Sequence, residues 1–266
     1  MLDWYSYPAS RGILYEPLER RASRITPTAD QRTLIIVACV YAVVIAIIWH
    51  VPYIKLVIYP FKLLTVAFHE FGHAAVGLCT GAKIESIELD PNEGGATRMR
   101  GGVPWLTLPA GYLGSSFVGA ALIACAFDIR ASKVVTFVLA AFFLLTLWWA
   151  RRDWLTWVLL ICMAGLIVGF WFIANGVALQ FLVLFIGVMS CLYSLWDICD
   201  DLIFRKVNES DATAFAKVVG CFPPQLWGVL WLIISLVFFA AGIIIGIVAF
   251  KDPLSEQRAD DFLNTR

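Results

Sequence analysis

Beyond Thr33 the chain alternates long apolar runs with short polar breaks, and the runs set the expected architecture. A helix needs about twenty mostly apolar residues, rising 1.5 Å each, to cross a hydrocarbon core about 30 Å thick. Runs of that length cover 33–50, 57–78, 106–127, 133–150, 154–174, 177–196 and 226–250, which predicts about seven transmembrane helices. Arg151, Arg152 and Asp153 separate two runs just long enough to cross, and Asn175-Gly176 predicts a tight turn between the fifth and sixth.

Three polar stretches add detail. In 83–102, Ile87 and Leu89 alternate with Ser86, Glu88 and Asp90, and Asp90-Pro91-Asn92-Glu93-Gly94-Gly95 is dense turn chemistry, which predicts a β-hairpin. Within the polar segment 197–225, Ser210 can cap a short helix whose apolar face is Phe215, Val218 and Val219, with Gly220 and Pro223-Pro224 ending it. The charged tail 251–266 is expected to be loose. The fold class expected is an all-α polytopic membrane protein with a small β-hairpin after its second helix. The N-terminal segment is 1–32, the transmembrane domain 33–250 and the tail 251–266.

Composition sharpens this. Of 266 residues, 61% are hydrophobic and 15% charged, against about 45–50% and about 25% in ordinary soluble domains. The surplus apolar surface requires a lipid bilayer as partner. Twenty basic and twenty acidic residues cancel, so nothing attracts a nucleic acid. Seven cysteines lie scattered and unpaired in spacing, as small buried hydrophobes would. The polar first thirty residues speak against a cleavable signal peptide, leaving the first span to act as the membrane signal. With seven crossings, most Lys and Arg, including Arg98, Arg100, Arg151 and Arg152, share the N-terminus's side, which the positive-inside rule makes cytosolic.

The chemistry is concentrated in Phe68-His69-Glu70-Phe71-Gly72-His73, an H-E-x-x-H pattern inside the second apolar run. Four residues apart on a helix, His69 and His73 share a face and can grip one metal ion, while Glu70 can take a proton from its water. Zinc suits the task, because it makes water acidic and polarises a carbonyl. A polar patch merely packed between helices is the bland alternative, but ionisable groups within a span are costly. His50, the third histidine, reads as interfacial. The third ligand must reach the same depth. Parity and depth favour Asp197, at the end of the sixth run, over Asp200 and Asp201, since Asp201 can pair with Arg205.

These residues resemble the site-2 proteases, intramembrane zinc metalloproteases, over 57–220. The likeness is nearest to the compact bacterial and fungal branch without a PDZ domain, on the strength of His69-Glu70-x-x-His73, the hairpin, a later aspartate and Pro109-Ala110-Gly111-Tyr112-Leu113-Gly114. It implies an endopeptidase whose partner is a transmembrane protein substrate, unwound and paired with a strand near the zinc. Gly94, Gly95 and Thr97 of the hairpin become candidate substrate-binding residues, with an inert polar connector as the alternative. Many family members draw the third ligand from an Asp-Gly pair after Asn and Pro, and this chain has none.

Two rival functions use the same residues: a metal transporter with His69, Glu70, His73 and Asp197 as a transit site, and an inactive scaffold. Gly111, Gly114 and Gly119, with Ser115 and Ser116, form a small-residue face for close helix approach. Gly242 and Gly246 serve either bundle packing or a homo-oligomer, and Gln180 is expected to make a buried polar contact near the substrate path.

Overall fold

The computed structural model describes residues 25–51, 53, 55–90, 94–203 and 210–259. The chain folds as α1 (Ala29–His50), α2 (Lys55–Cys79), β1 (Lys83–Asp90), β2 (Gly94–Arg100), α3 (Pro104–Cys125), α4 (Ile129–Trp149), α5 (Trp154–Phe172), α6 (Val177–Ile203), α7 (Asp211–Val219), α8 (Pro224–Ala249) and α9 (Leu254–Ala259). Among the described residues, five stretches are long and apolar enough to cross a membrane: Ala29–Trp49, Pro104–Cys125, Ile129–Trp149, Trp154–Tyr193 and Pro224–Ala249. The 40-residue Trp154–Tyr193 stretch is broken at Ile173–Gly176, where Ala174, Asn175 and Gly176 all take positive φ, so it holds two helices joined by the expected turn. Helix α2 falls outside that set, with Lys62, His69, Glu70 and His73 along it.

Helix α2 packs against α3, α4 and α6. Phe68 and Phe71 pack on Phe142 of α4 (centroids 4.7 and 4.8 Å), and Phe61 packs on Phe185 of α6 (4.9 Å). Glycine lets α3 close against it: a Cβ on Gly72 would collide with the Ala110 carbonyl, and Gly114 faces the Gly72 Cα. The small-residue face expected on α3 is therefore its seam with α2. Further along, Gly119 meets Gly187 and Cys191 of α6. Gly242 abuts Ala120 and Gly246 abuts Phe127, so this G-x-x-x-G face is consumed inside the chain and is not free for a second copy.

The two ends of the bundle are distinct. One gathers the hairpin, the α4–α5 turn and α7. The other gathers the start of α1, the α3–α4 and α5–α6 turns and the C-terminal tail. There Gln31 donates to the carbonyls of Ile247 (3.2 Å) and Phe250, Lys251 donates to Thr26 O (2.9 Å), and the Leu254 N–H donates to Asp30 (3.0 Å). The expected loose tail is anchored as far as it is described, to Ala259: Gln257 is buried, accepting from the Ile129 N–H (3.2 Å) and from Gln180 (3.3 Å); residues 260–266 lie outside the described residues. Gln180 thus serves this end, and lies thirteen residues, about 20 Å of helix, from Tyr193 beside the histidines.

Seven crossings would place Asp30 and Leu254 on opposite sides, whereas the structure brings them to one end of the bundle. The difference lies in α1 and α2. Tyr41 and Trp49 of α1 meet Phe185 and Trp196 of α6 in the same order, and so do Phe61 and His69 of α2 with Phe185 and Tyr193. Both helices therefore run in the direction of α6. The few residues between them are too short to bring the chain back across about 30 Å. Of the described cysteines, Cys191 is buried, but Cys39, Cys79, Cys162 and Cys221 are exposed, on outer faces where a thiol packs as readily against lipid as in a core.

Candidate metal centre

The H-E-x-x-H turn lies in α2, where the i,i+4 spacing puts both imidazoles on one face. His69, Glu70 and His73 are all buried. The two Nε2 atoms stand 3.0 Å apart. Asp211 completes the cluster, its Oδ2 lying 2.9 Å from His69 Nε2 and 3.0 Å from His73 Nε2. Among the described residues this is the group of three side chains able to hold a metal ion.

The third side chain of the cluster is Asp211, where the sequence pointed to Asp197. Asp197 continues α6, which overruns its apolar stretch to Ile203; the side chains of Asp197, Asp200 and Asp201 lie outside the described residues. Asp211 arrives instead on the short helix α7. Ser210 caps it, its hydroxyl accepting from the Thr213 N–H (3.3 Å), and Gly220 ends it at φ 72°. Phe215 locks α7 in place against Trp227 (4.7 Å) and Trp231 (5.5 Å), while Trp231 stacks on Tyr112 of α3 (5.1 Å). Tyr112 in turn meets the His69 ring (4.7 Å). The sequence marks this helix but does not single out Asp211, since an acid in a first turn is what the helix dipole favours anyway. The signal that was available is the aromatic spacing of Phe215, Trp227 and Trp231, which obliges α7 to fold back against the bundle.

The donor set fits a divalent cation. His73 Nδ1 donates to the Thr107 carbonyl (2.7 Å). A carbonyl only accepts, so Nδ1 carries a proton and Nε2 is the atom turned towards Asp211: it donates a hydrogen bond to the carboxylate when the ring is charged and offers a lone pair to a cation when the ring is neutral. His69 Nδ1 has no hydrogen-bond partner, so nothing outside the cluster fixes that ring's tautomer. One proton can bridge two of three such atoms; one metal ion satisfies all three. Ligand atoms on tetrahedral zinc stand about 3.3 Å apart, within a few tenths of the separations here. Burial alone would raise the Asp211 pKa, but attraction to His73 and hydrogen bonds from both imidazoles hold it well below the usual carboxylate range. Asp211 is thus a ready anionic ligand. Gly111 leaves the room: a Cβ there would sit 2.5 Å from both Nε2 atoms.

Glu70 turns away from this triangle towards the hairpin. The Thr97 hydroxyl lies 2.7 Å from Glu70 Oε2 and 2.9 Å from the Glu70 carbonyl. Gly95 is as close, since a Cβ built on it would meet Glu70 Cγ and Oε1 at 2.6 Å. Gly94, at φ 102°, has nothing near its Cβ position and serves the turn. Among the described residues the two-stranded sheet leaves the outer edge of β2 without a partner strand, whereas at β1 the Leu89 N–H donates to Asp153 of the α4–α5 turn (3.0 Å).

Comparison with known families agrees with this geometry. The family profile described as Peptidase M50B-like matches residues 38–242, a stretch that runs from α1 through α8 and holds both histidines, Glu70 and Asp211. Comparisons with curated proteins and with solved structures find no match. The chain belongs to the Peptidase M50B-like family, and with it to the site-2 proteases.

Proposed function

We propose that the protein is an intramembrane zinc metalloendopeptidase, with His69, His73 and Asp211 as metal ligands and Glu70 as general base. The observation that carries this is the convergence of three lone-pair atoms within 3.0 Å of one another beside a buried glutamate. Zinc bound there would supply a Lewis acid that polarises the scissile carbonyl and acidifies the attacking water. Glu70 takes the proton from that water and delivers it to the leaving amine nitrogen. Thr107 holds His73 in the tautomer that leaves Nε2 free. The surrounding α3, α4 and α6 exclude bulk water, which strengthens each of these charges.

The substrate is a transmembrane or membrane-adjacent segment of another protein. It must be extended, because a helix hides its own carbonyls, and the open edge of β2 offers backbone groups to such a strand. Lys83, Arg98, Arg100, Arg151, Arg152 and Lys217 lie at the hairpin end of the bundle and Arg32, Arg130, Lys133 and Lys251 at the other, so Lys and Arg among the described residues favour neither side for the site. Exposed Trp148, Trp154 and Trp157 belong at the hairpin end as an interfacial belt. The start of α1 lies at the opposite end of the bundle from the site. A metal-transit role would need no family of peptidases and no strand clasping Glu70, so hydrolysis is favoured.

The test is Glu70→Gln in reconstituted protein. It should abolish cleavage of a dye-labelled casein, an unfolded chain able to offer an extended strand, while zinc stays bound. Wild-type hydrolysis by that variant would reject the assignment.

A further inference from the structure

The geometry points to Thr97 as the positioning residue for Glu70, with Gly95 making the space: strand β2 holds the base, in addition to any part it plays in holding substrate. Residues two apart on a strand share a face, so Gly95 and Thr97 both look onto α2, while Ala96 and Arg98 between and beyond them are exposed. Thr97 spans both oxygens of one residue, 2.7 Å from the Glu70 carboxylate and 2.9 Å from its main-chain carbonyl. A single hydroxyl therefore fixes the carboxylate relative to the helix backbone that carries His69 and His73. From the other side Gly95 presses within contact distance of Glu70 Cγ and Oε1, so any side chain at 95 would push the carboxylate off this position.

The strand is itself held. Gly95 pairs with Leu89 and Thr97 with Ile87 of β1, and the Leu89 N–H donates to Asp153 of the α4–α5 turn. Ile84 and Ile87 are buried with Ala74 of α2, and Met99 and Trp149 pack on them. A continuous set of contacts thus runs from the α4–α5 turn through the hairpin to the catalytic carboxylate. The sequence assigned Thr97 to substrate. The structure gives its hydroxyl a partner already, on the enzyme.

Because this role presupposes that Glu70 is the general base, the experiment carries Glu70→Gln alongside. In reconstituted full-length protein, with dye-labelled casein as probe, Thr97→Val removes the hydroxyl and keeps the shape. It should lower kcat about 10- to 100-fold, the usual cost of a displaced catalytic group, with KM within about twofold and zinc content unchanged; Thr97→Ser should restore most of kcat. Gly95→Ala should reproduce the kcat loss, and it serves in Thr97→Val's place if that variant does not fold. If Thr97→Val raises KM with kcat intact, Thr97 touches substrate and the positioning role is overturned. The same follows if Thr97→Val and Gly95→Ala both turn over at the wild-type rate. In either case an inactive Glu70→Gln leaves the peptidase reading standing, whereas an active one overturns both.

Discussion

Replacing Gly111 by alanine adds one methyl group where α3 meets both imidazoles. That Cβ would lie 2.5 Å from His69 Cε1, His69 Nε2 and His73 Nε2, against about 3.5 Å for ordinary contact between heavy atoms. The imidazoles, or α3, must retreat by about 1 Å. Backbone propensity pulls the other way, since alanine within a helix is favoured over glycine by about 1 kcal/mol. Any loss must therefore come from the site. A displacement of about 1 Å spoils both ligand geometry and attack geometry, which is enough for roughly 100-fold in rate. Gly165 in α5 is the matched control, with nothing within 4 Å of its Cβ position. The assay is zinc per protein after purification in detergent, followed by casein cleavage. Gly111→Ala should lose most bound zinc and activity while remaining helical, and Gly165→Ala should keep both. Full zinc and activity in Gly111→Ala, or an equal loss in Gly165→Ala, would refute the packing of α3 against the two imidazoles.

Three further outcomes follow. Asp211→Asn should release zinc, whereas Asp197→Asn should retain it, as read by metal analysis of the two purified variants. Gln257→Leu strands the Ile129 N–H and the Gln180 amide, which should cost about 1–3 kcal/mol per buried group and lower the thermal midpoint without touching initial cleavage rates. Impermeant labelling of single cysteines placed at Asp30 and Lys251 should report one side of the membrane and at Arg98 the other; Asp30 and Lys251 on opposite sides would restore seven crossings.

The parts of the site that were legible in the sequence are those fixed by local spacing. His69 and His73 follow from a four-residue step on one helix. The hairpin follows from the alternation at Ile87 and Leu89, and the α7 boundaries from Ser210 and Gly220. Even the approach of α3 to α2 was readable, because Gly111 and Gly114 leave no other reason for their spacing. What escaped depended on tertiary return. Asp211 lies fourteen residues beyond Asp197 and reaches the histidines only because Phe215, Trp227 and Trp231 pack α7 back onto α3. Depth and parity along the membrane normal pointed to a residue on α6 and had no means of anticipating a re-entering helix. The shared direction of α1 and α2 was hidden for a similar reason: hydropathy measures the length of a run, not which way it is traversed. Thr97 was noticed, but its partner was not, since a hydroxyl on a strand carries no sequence mark of the carboxylate it will meet.

The central claim is tested most directly by X-ray absorption at the zinc edge on the purified wild-type protein. The account predicts about one zinc per chain bound by two imidazole nitrogens and a carboxylate oxygen at about 2.0–2.1 Å, a signature that changes in Asp211→Asn. A protein purified without chelators that holds no zinc, or one whose zinc is bound through sulfur, would contradict it.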